Sequence, residues 1–239
     1  MFKLTFSRAN AKLAKLGQGI KSFALPSGWA CPAALECLSK ANATTGIVND
    51  GKQTQFRCFS ASSESLFPSL RDMVWRNFKL LNACKDSSEM ASLILSSLPK
   101  NFQIMRVHVG GDFYSQAYFD AWLSVAKLMP SKVFYAYTKS LNFWVTRIDD
   151  IPKNFRLTAS RGGKFDALID LHGLKNALVV FSKAQAETSN LEIDHDDSHA
   201  AFGTKSFALL IHGTQPKGSK ASQALSQLRK TGEKGYSKK

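Results

Sequence analysis

Short apolar runs alternate along the chain with longer stretches whose apolar positions recur every three or four residues. Lys21-Ser22-Phe23-Ala24-Leu25 reads as a strand ended by Pro26, with Ser27-Gly28 turning the chain. Ser63–Leu98 carries apolar residues at helical spacing, from Leu66, Leu70 and Met73 to Met90, Leu93 and Ile94. It predicts two helices broken near Asp86-Ser87-Ser88. Ile104–Val109 is a strand stopped by Gly110-Gly111, and Gln116–Leu128 a helix with Phe119, Trp122, Leu123 and Ala126 on one face. Lys132–Tyr137, Phe155–Ala159, Ala177–Phe181 and Phe207–His212 follow as strands, with short helical stretches at Asn142–Asp149 and Lys164–Leu171. Ala221–Lys230 closes the pattern as a helix bearing Leu225 and Leu228.

Strand–helix alternation of this kind predicts parallel strands joined by crossover helices. Six strands fit a partial (β/α)6 TIM-like barrel; eight are not found, so a complete eightfold barrel is not expected. A doubly wound open sheet is the competing architecture. We expect a single barrel-like domain over residues 1–216 and a basic helix and tail over 217–239.

In either architecture functional residues gather on the loops after the carboxyl ends of the strands. Those loops hold Trp29, Cys31 and Cys37, then Gly110, Gly111, Asp112 and Tyr114. Next come Thr138, Lys139 and Ser140, then Ser160 and Arg161, then Ser182 and Lys183, and finally His212, Thr214 and Gln215. Cys31, Cys37 and Cys58 place three thiols between the first strand and the first long helix. That set suits an iron–sulfur cluster with one open iron, zinc completed by a histidine, or three buried thiols acting as small apolar residues. Cys84, within a helical stretch, reads as structural. The Gly110-Gly111 pair either lets the backbone approach a ligand or simply turns the chain, and Asp112 follows as an acceptor for ammonium or ribose hydroxyls. Asp194-His195-Asp196-Asp197-Ser198-His199 alternates carboxylates and imidazoles, as a divalent-cation site or a solvated loop would. His108, alternating within a strand, reads as a packed side chain.

Composition narrows the classes. At 239 residues and 44% hydrophobic, the chain has enough apolar content to pack one core. Its apolar runs fall far short of the roughly 20 residues a membrane span requires. Four cysteines are too few for a disulfide-stapled secreted scaffold, and no signal-peptide core follows the basic amino-terminal residues, so a reducing cytoplasmic setting is expected. The net charge of +14 lies mostly at the ends, with +5 in residues 1–21 and +6 in residues 217–239. The basic ends therefore suggest a nucleotide or nucleic acid as partner, with solvated tails as the alternative. No P-loop or nucleophile-elbow motif is present.

Two resemblances follow from these residues. Asn10–Leu13, Phe23–Pro26 leading into Cys31-Pro32, and above all Arg106–Trp122 with Phe134–Ser140, resemble the phage family called gene product eighty-eight, which carries no assigned activity. More distantly, a strand, a three-cysteine loop, a helix, a second strand and Gly110-Gly111-Asp112 resemble the radical S-adenosylmethionine enzymes. That resemblance implies a [4Fe–4S] cluster on Cys31, Cys37 and Cys58, with S-adenosylmethionine contacting Gly110, Gly111 and Asp112. Thr138, Ser160 and Lys183 would lie near its ribose or the substrate, and a reductant would be needed. Here five and twenty residues separate the cysteines where the family has three and two, and Asp112 replaces its usual Glu. The rival reading is a non-catalytic nucleic-acid-binding module with structural zinc or no metal.

Overall fold

The computed structural model describes residues 2–8 and 10–232. In chain order the strands are β1 (Ser7–Arg8), β2 (Ile20–Ser22), β3 (Ser39–Ala41), β4 (Val48–Asp50), β5 (Ile104–Val107), β6 (Val133–Thr138), β7 (Phe155–Ser160), β8 (Asn176–Val180) and β9 (Phe207–Leu210). The helices are α1 (Phe59–Leu66), α2 (Pro68–Asn82), α3 (Ser87–Ser97), α4 (Gln116–Leu128), α5 (Leu141–Val145), α6 (Ala167–Leu171), α7 (Lys183–Thr188), α8 (Ser198–Ala201) and α9 (Lys220–Lys230).

Seven strands form one sheet in the order β1-β2-β5-β6-β7-β8-β9, with β3 and β4 pairing separately as a hairpin. Only β1 runs antiparallel, and every other neighbour pair in the sheet is parallel. The parallel strands follow one another in chain order. A doubly wound sheet reverses direction at a switch point, and no reversal occurs here, so that alternative is set aside. β1 and β9 are opposite edges, so the sheet is open.

Both faces of the sheet are covered, which is why the strands read as near-continuous apolar runs. On one face Met105 and Val107 of β5, Phe134 and Ala136 of β6, and Leu157 and Ala159 of β7 join Ile94, Phe119 and Trp122 in the largest core. On the other, Ile104, Tyr135, Ala177 and Phe207 pack against Leu13, Ala200 and Ala201. A third cluster joins Val180, Ala208 and Leu210 to Ala221, Leu225 and Leu228 of α9.

The predicted helix Gln116–Leu128 is present with those bounds, capped by the Ser115 side chain accepting from Tyr118 N–H. Ser63–Leu98 is a different matter. Helix begins earlier, at Phe59, and breaks twice, at Phe67-Pro68 and at Asp86. Pro68 takes the first turn of α2, where its missing N–H costs nothing. Asp86 caps α3, its Oδ1 accepting from the N–H groups of Ser88 and Glu89, both at 2.9 Å. Asp86→Ala is expected to cost about 1 kcal/mol, read as a lower urea midpoint with an unchanged slope. An unaltered midpoint would mean that water replaces the cap. No described helix is long and apolar enough to cross a membrane.

Candidate functional site

β5, β6 and β7 deliver their carboxyl ends to one side of the sheet, where a cavity of about 160 Å³ opens. Cys31, Cys37 and Cys58 all line it, together with Gly110, Gly111, Asp112, Thr138 and Ser160. The three thiols come from separate local structures. Cys31 lies in the turn after Pro26, where Gly28 N–H donates to its Sγ at 3.3 Å. Cys58 caps α1, and its N–H donates to Ser39 Oγ at 3.1 Å, which fastens the helix start to the β3–β4 hairpin. Gln215, beyond β9, clamps the same segment: Arg57 N–H donates to its side-chain oxygen and its amide donates back to Arg57 O.

Burial is the main influence on all three thiols and raises each. Cys31 also feels Asp112, Cys58 and Cys37, and Cys58 is pushed up to about 11 despite backbone N–H donors at the start of α1. The thiols are thus within electrostatic reach of one another and protonated at neutral pH. Among the described residues no group of three His, Cys, Asp or Glu is placed to hold a single metal ion. Cys84 lies away from the cavity, just past α2, its Sγ donating to Leu80 O.

Asp112 is buried and fully engaged. Its Oδ1 accepts from Thr138 Oγ1 at 2.6 Å and Phe113 N–H at 2.7 Å, and its Oδ2 from Lys139 N–H at 2.8 Å. Burial lifts its carboxyl to about 6, with the hydrogen bonds pulling the other way. Ser160 Oγ accepts from Lys139 Nζ at 3.0 Å, and that ammonium also reaches Arg161 O. Thr138 and Ser160 therefore reach the cavity already bonded to protein. Lys183 does not line it; it opens α7 as an exposed residue.

Sequence reasoning passed over several cavity residues. Arg106, His108, Tyr137, Phe59 and Ile211 all contribute. The available signal was Arg106, a charge inside a strand that is otherwise wholly apolar, with His108 two residues on. His108 sits just past β5 with φ of 68° and is buried; its Nε2 lies 2.9 Å from Tyr118 Oη, and burial brings the imidazole down to about 3. His212 is likewise held low, at about 4, by burial against Phe59.

Residues 194–199 form neither a solvated loop nor a cation site. Asp197, with no exposed side-chain surface, accepts from Lys12 Nζ at 2.7 Å, Arg106 Nη1 at 2.6 Å and Tyr135 Oη at 3.0 Å. Asp194 is buried beside it and accepts from Asp196 N–H, and His199 Nε2 pairs with Glu192. This network plugs the end of the sheet opposite the cavity mouth. It also folds the basic amino-terminal segment into the domain through Lys12 and Leu13. The carboxyl-terminal basic segment is not a free arm over its described part: α9 packs through Ala221, Leu225 and Leu228, leaving Lys220, Arg229 and Lys230 exposed. The tail from 233 onward lies outside the described residues.

Fold and site together define a mostly parallel α/β protein with a cysteine-lined cavity at the carboxyl ends of its strands. The chain belongs to the gene product 88 family, whose family model matches residues 4–230. No curated protein and no solved structure matches it.

Proposed function

We propose that the chain is a radical S-adenosylmethionine-like enzyme on a partial (β/α)6 barrel. In this reading Cys31, Cys37 and Cys58 hold a [4Fe–4S] cluster, and S-adenosylmethionine lies beside Gly110, Gly111 and Asp112. The observation that carries it is the gathering of three thiols from separate segments around one cavity, with the Gly-Gly-Asp turn on its wall. The consecutive order of the parallel strands supports the barrel.

The donor set, three thiols, is of the kind iron–sulfur clusters take. Tetrahedral zinc with bonds of about 2.3 Å needs sulfurs only about 3.8 Å apart, and no described trio meets such a demand. A cluster takes its cysteines one to each iron. The chemistry supplied when both groups are bound is one-electron cleavage of the sulfonium and hydrogen-atom abstraction from a substrate. The chain's own part is to hold and to exclude. The three half-buried thiols release their protons as they become ligands. Phe56, Phe59 and Ile211 keep the walls apolar, and the Asp112 carboxylate is fixed by three donors.

Anaerobic purification followed by reconstitution with iron and sulfide tests the reading. Wild-type protein is expected to take up iron and sulfide in equal amounts and to give a reduced-cluster electron paramagnetic resonance signal. Cys58→Ser should lose nearly all of both while keeping its circular dichroism. Colourless wild-type protein without stoichiometric iron overturns the proposal.

A further inference from the structure

Arg106 and His108 each keep one buried side-chain nitrogen, Nε and Nδ1 respectively, without a hydrogen-bond partner. Both residues line the cavity. Arg106 lies within β5, and His108 follows just past its end. An orphaned buried donor is costly, and two beside one cavity call for an acceptor there. Both are assigned as donors. Arg106 Nε always carries hydrogen. Tyr118 Oη has a proton to give to His108 Nε2, which leaves the single proton of the neutral imidazole on Nδ1.

The surroundings say which acceptor. Arg106 is a buried cation whose Nη1 is paired with Asp197, and its remaining donor favours a charged acceptor. The wall nearby is apolar, formed by Val179, Leu209, Ile211 and Phe59. A phosphate would bring more oxygens than two donors satisfy and strand the rest against that wall. A carboxylate brings two.

We propose that this floor is a carboxylate site, in which Arg106 Nε and His108 Nδ1 each donate to one oxygen of a small organic acid whose apolar body lies against Val179, Leu209 and Ile211. The left-handed backbone of His108 is part of the site. A side chain following β5 in extended conformation would continue the strand, whereas φ of 68° turns the residue at the cavity while its ring stays locked on Tyr118 and Phe113. The site names the substrate class for the reaction proposed above, yet its binding does not depend on a cluster.

The test uses metal-free protein, so that its failure and the failure of the cluster reading are separate results. A panel of aryl and alkyl carboxylates is titrated beside the matched primary amides and inorganic phosphate, with the His108 ring protons followed by nuclear magnetic resonance. At least one carboxylate is expected to bind saturably at one site, shift the His108 ring, and exceed its amide about tenfold or more, as a charge-assisted hydrogen bond provides. His108→Asn, a residue that tolerates left-handed backbone, should weaken that acid about tenfold without unfolding the chain. His108→Phe is the second variant, keeping an aromatic against Phe113 while removing the donor. The proposal is overturned if no acid moves the His108 resonances, if amides or phosphate bind as well as the acids, or if both variants bind the acid as wild type does.

Discussion

Asp197→Asn is expected to destabilise the protein by about 3–5 kcal/mol at neutral pH, because it leaves Arg106 and Lys12 buried without their anion. Asp197 accepts from both cations and from Tyr135, and its side chain has no exposed surface. Burial alone would raise its carboxyl, but Arg106 and then Lys12 outweigh that and hold it below the ordinary 3.8. A carboxylate held low contributes stability that is complete above its ordinary range and is lost as pH falls through its lowered value. The difference in urea stability between wild type and Asp197→Asn should therefore be full at pH 7 and shrink below about pH 4. A difference independent of pH over that range would show that Asp197 acts by shape and not by charge. Replacing Lys12, Arg106 and Asp197 together by apolar residues of similar size should recover much of the loss.

That network also marks where sequence reading stopped. Asp194–His199 has the composition of a wet loop, and nothing local reports its burial. The partners that bury Asp197 lie 185 residues away at Lys12 and 91 residues away at Arg106. The strands, by contrast, were legible because a parallel sheet covered on both faces leaves unbroken apolar runs. Helix α4 was legible because one wide apolar face packs on that sheet. The β3–β4 hairpin was not, since Ser39-Lys40-Ala41 and Val48-Asn49-Asp50 are too short and too polar to alternate. The α1–α2 break was hidden for another reason. Apolar spacing continues across Phe67-Pro68, and a proline that opens a helix looks like one that ends it. The cavity was half visible. Its cysteines and Gly-Gly-Asp turn were named from strand-end positions, whereas Arg106 was passed over, His108 was read as a packed side chain, and Lys183 lies off the lining.

The Gly110-Gly111 pair gains a different explanation from the structure. A Cβ on Gly110 would run into Ser60 Oγ and lie 2.8 Å from Ser60 Cβ, and one on Gly111 would meet Leu25 at 2.6 Å. What approaches these glycines is the first turn of α1 and the chain beyond β2. Gly110→Ala is accordingly expected to cost about 1–3 kcal/mol by overpacking. Ser60→Gly opens the space but weakens α1 by about 0.5–1 kcal/mol. In the double variant the clash is gone, so the two losses should not add, and a double-mutant cycle should return a favourable coupling of at least about 1 kcal/mol. Strict additivity would put the strain of Gly110→Ala elsewhere. The cycle also bears on the cavity, because Ser60 is two residues from Cys58 and both sit on the same helix start. If α1 yields to make room for the new methyl, Cys58 moves with it. Gly110→Ala should then take up less iron on reconstitution than wild type, and Gly110→Ala with Ser60→Gly should regain it. Iron uptake that stays at the wild-type level in Gly110→Ala while stability falls would show that the helix start holds its thiol in place and that the strain is absorbed on the β5 side.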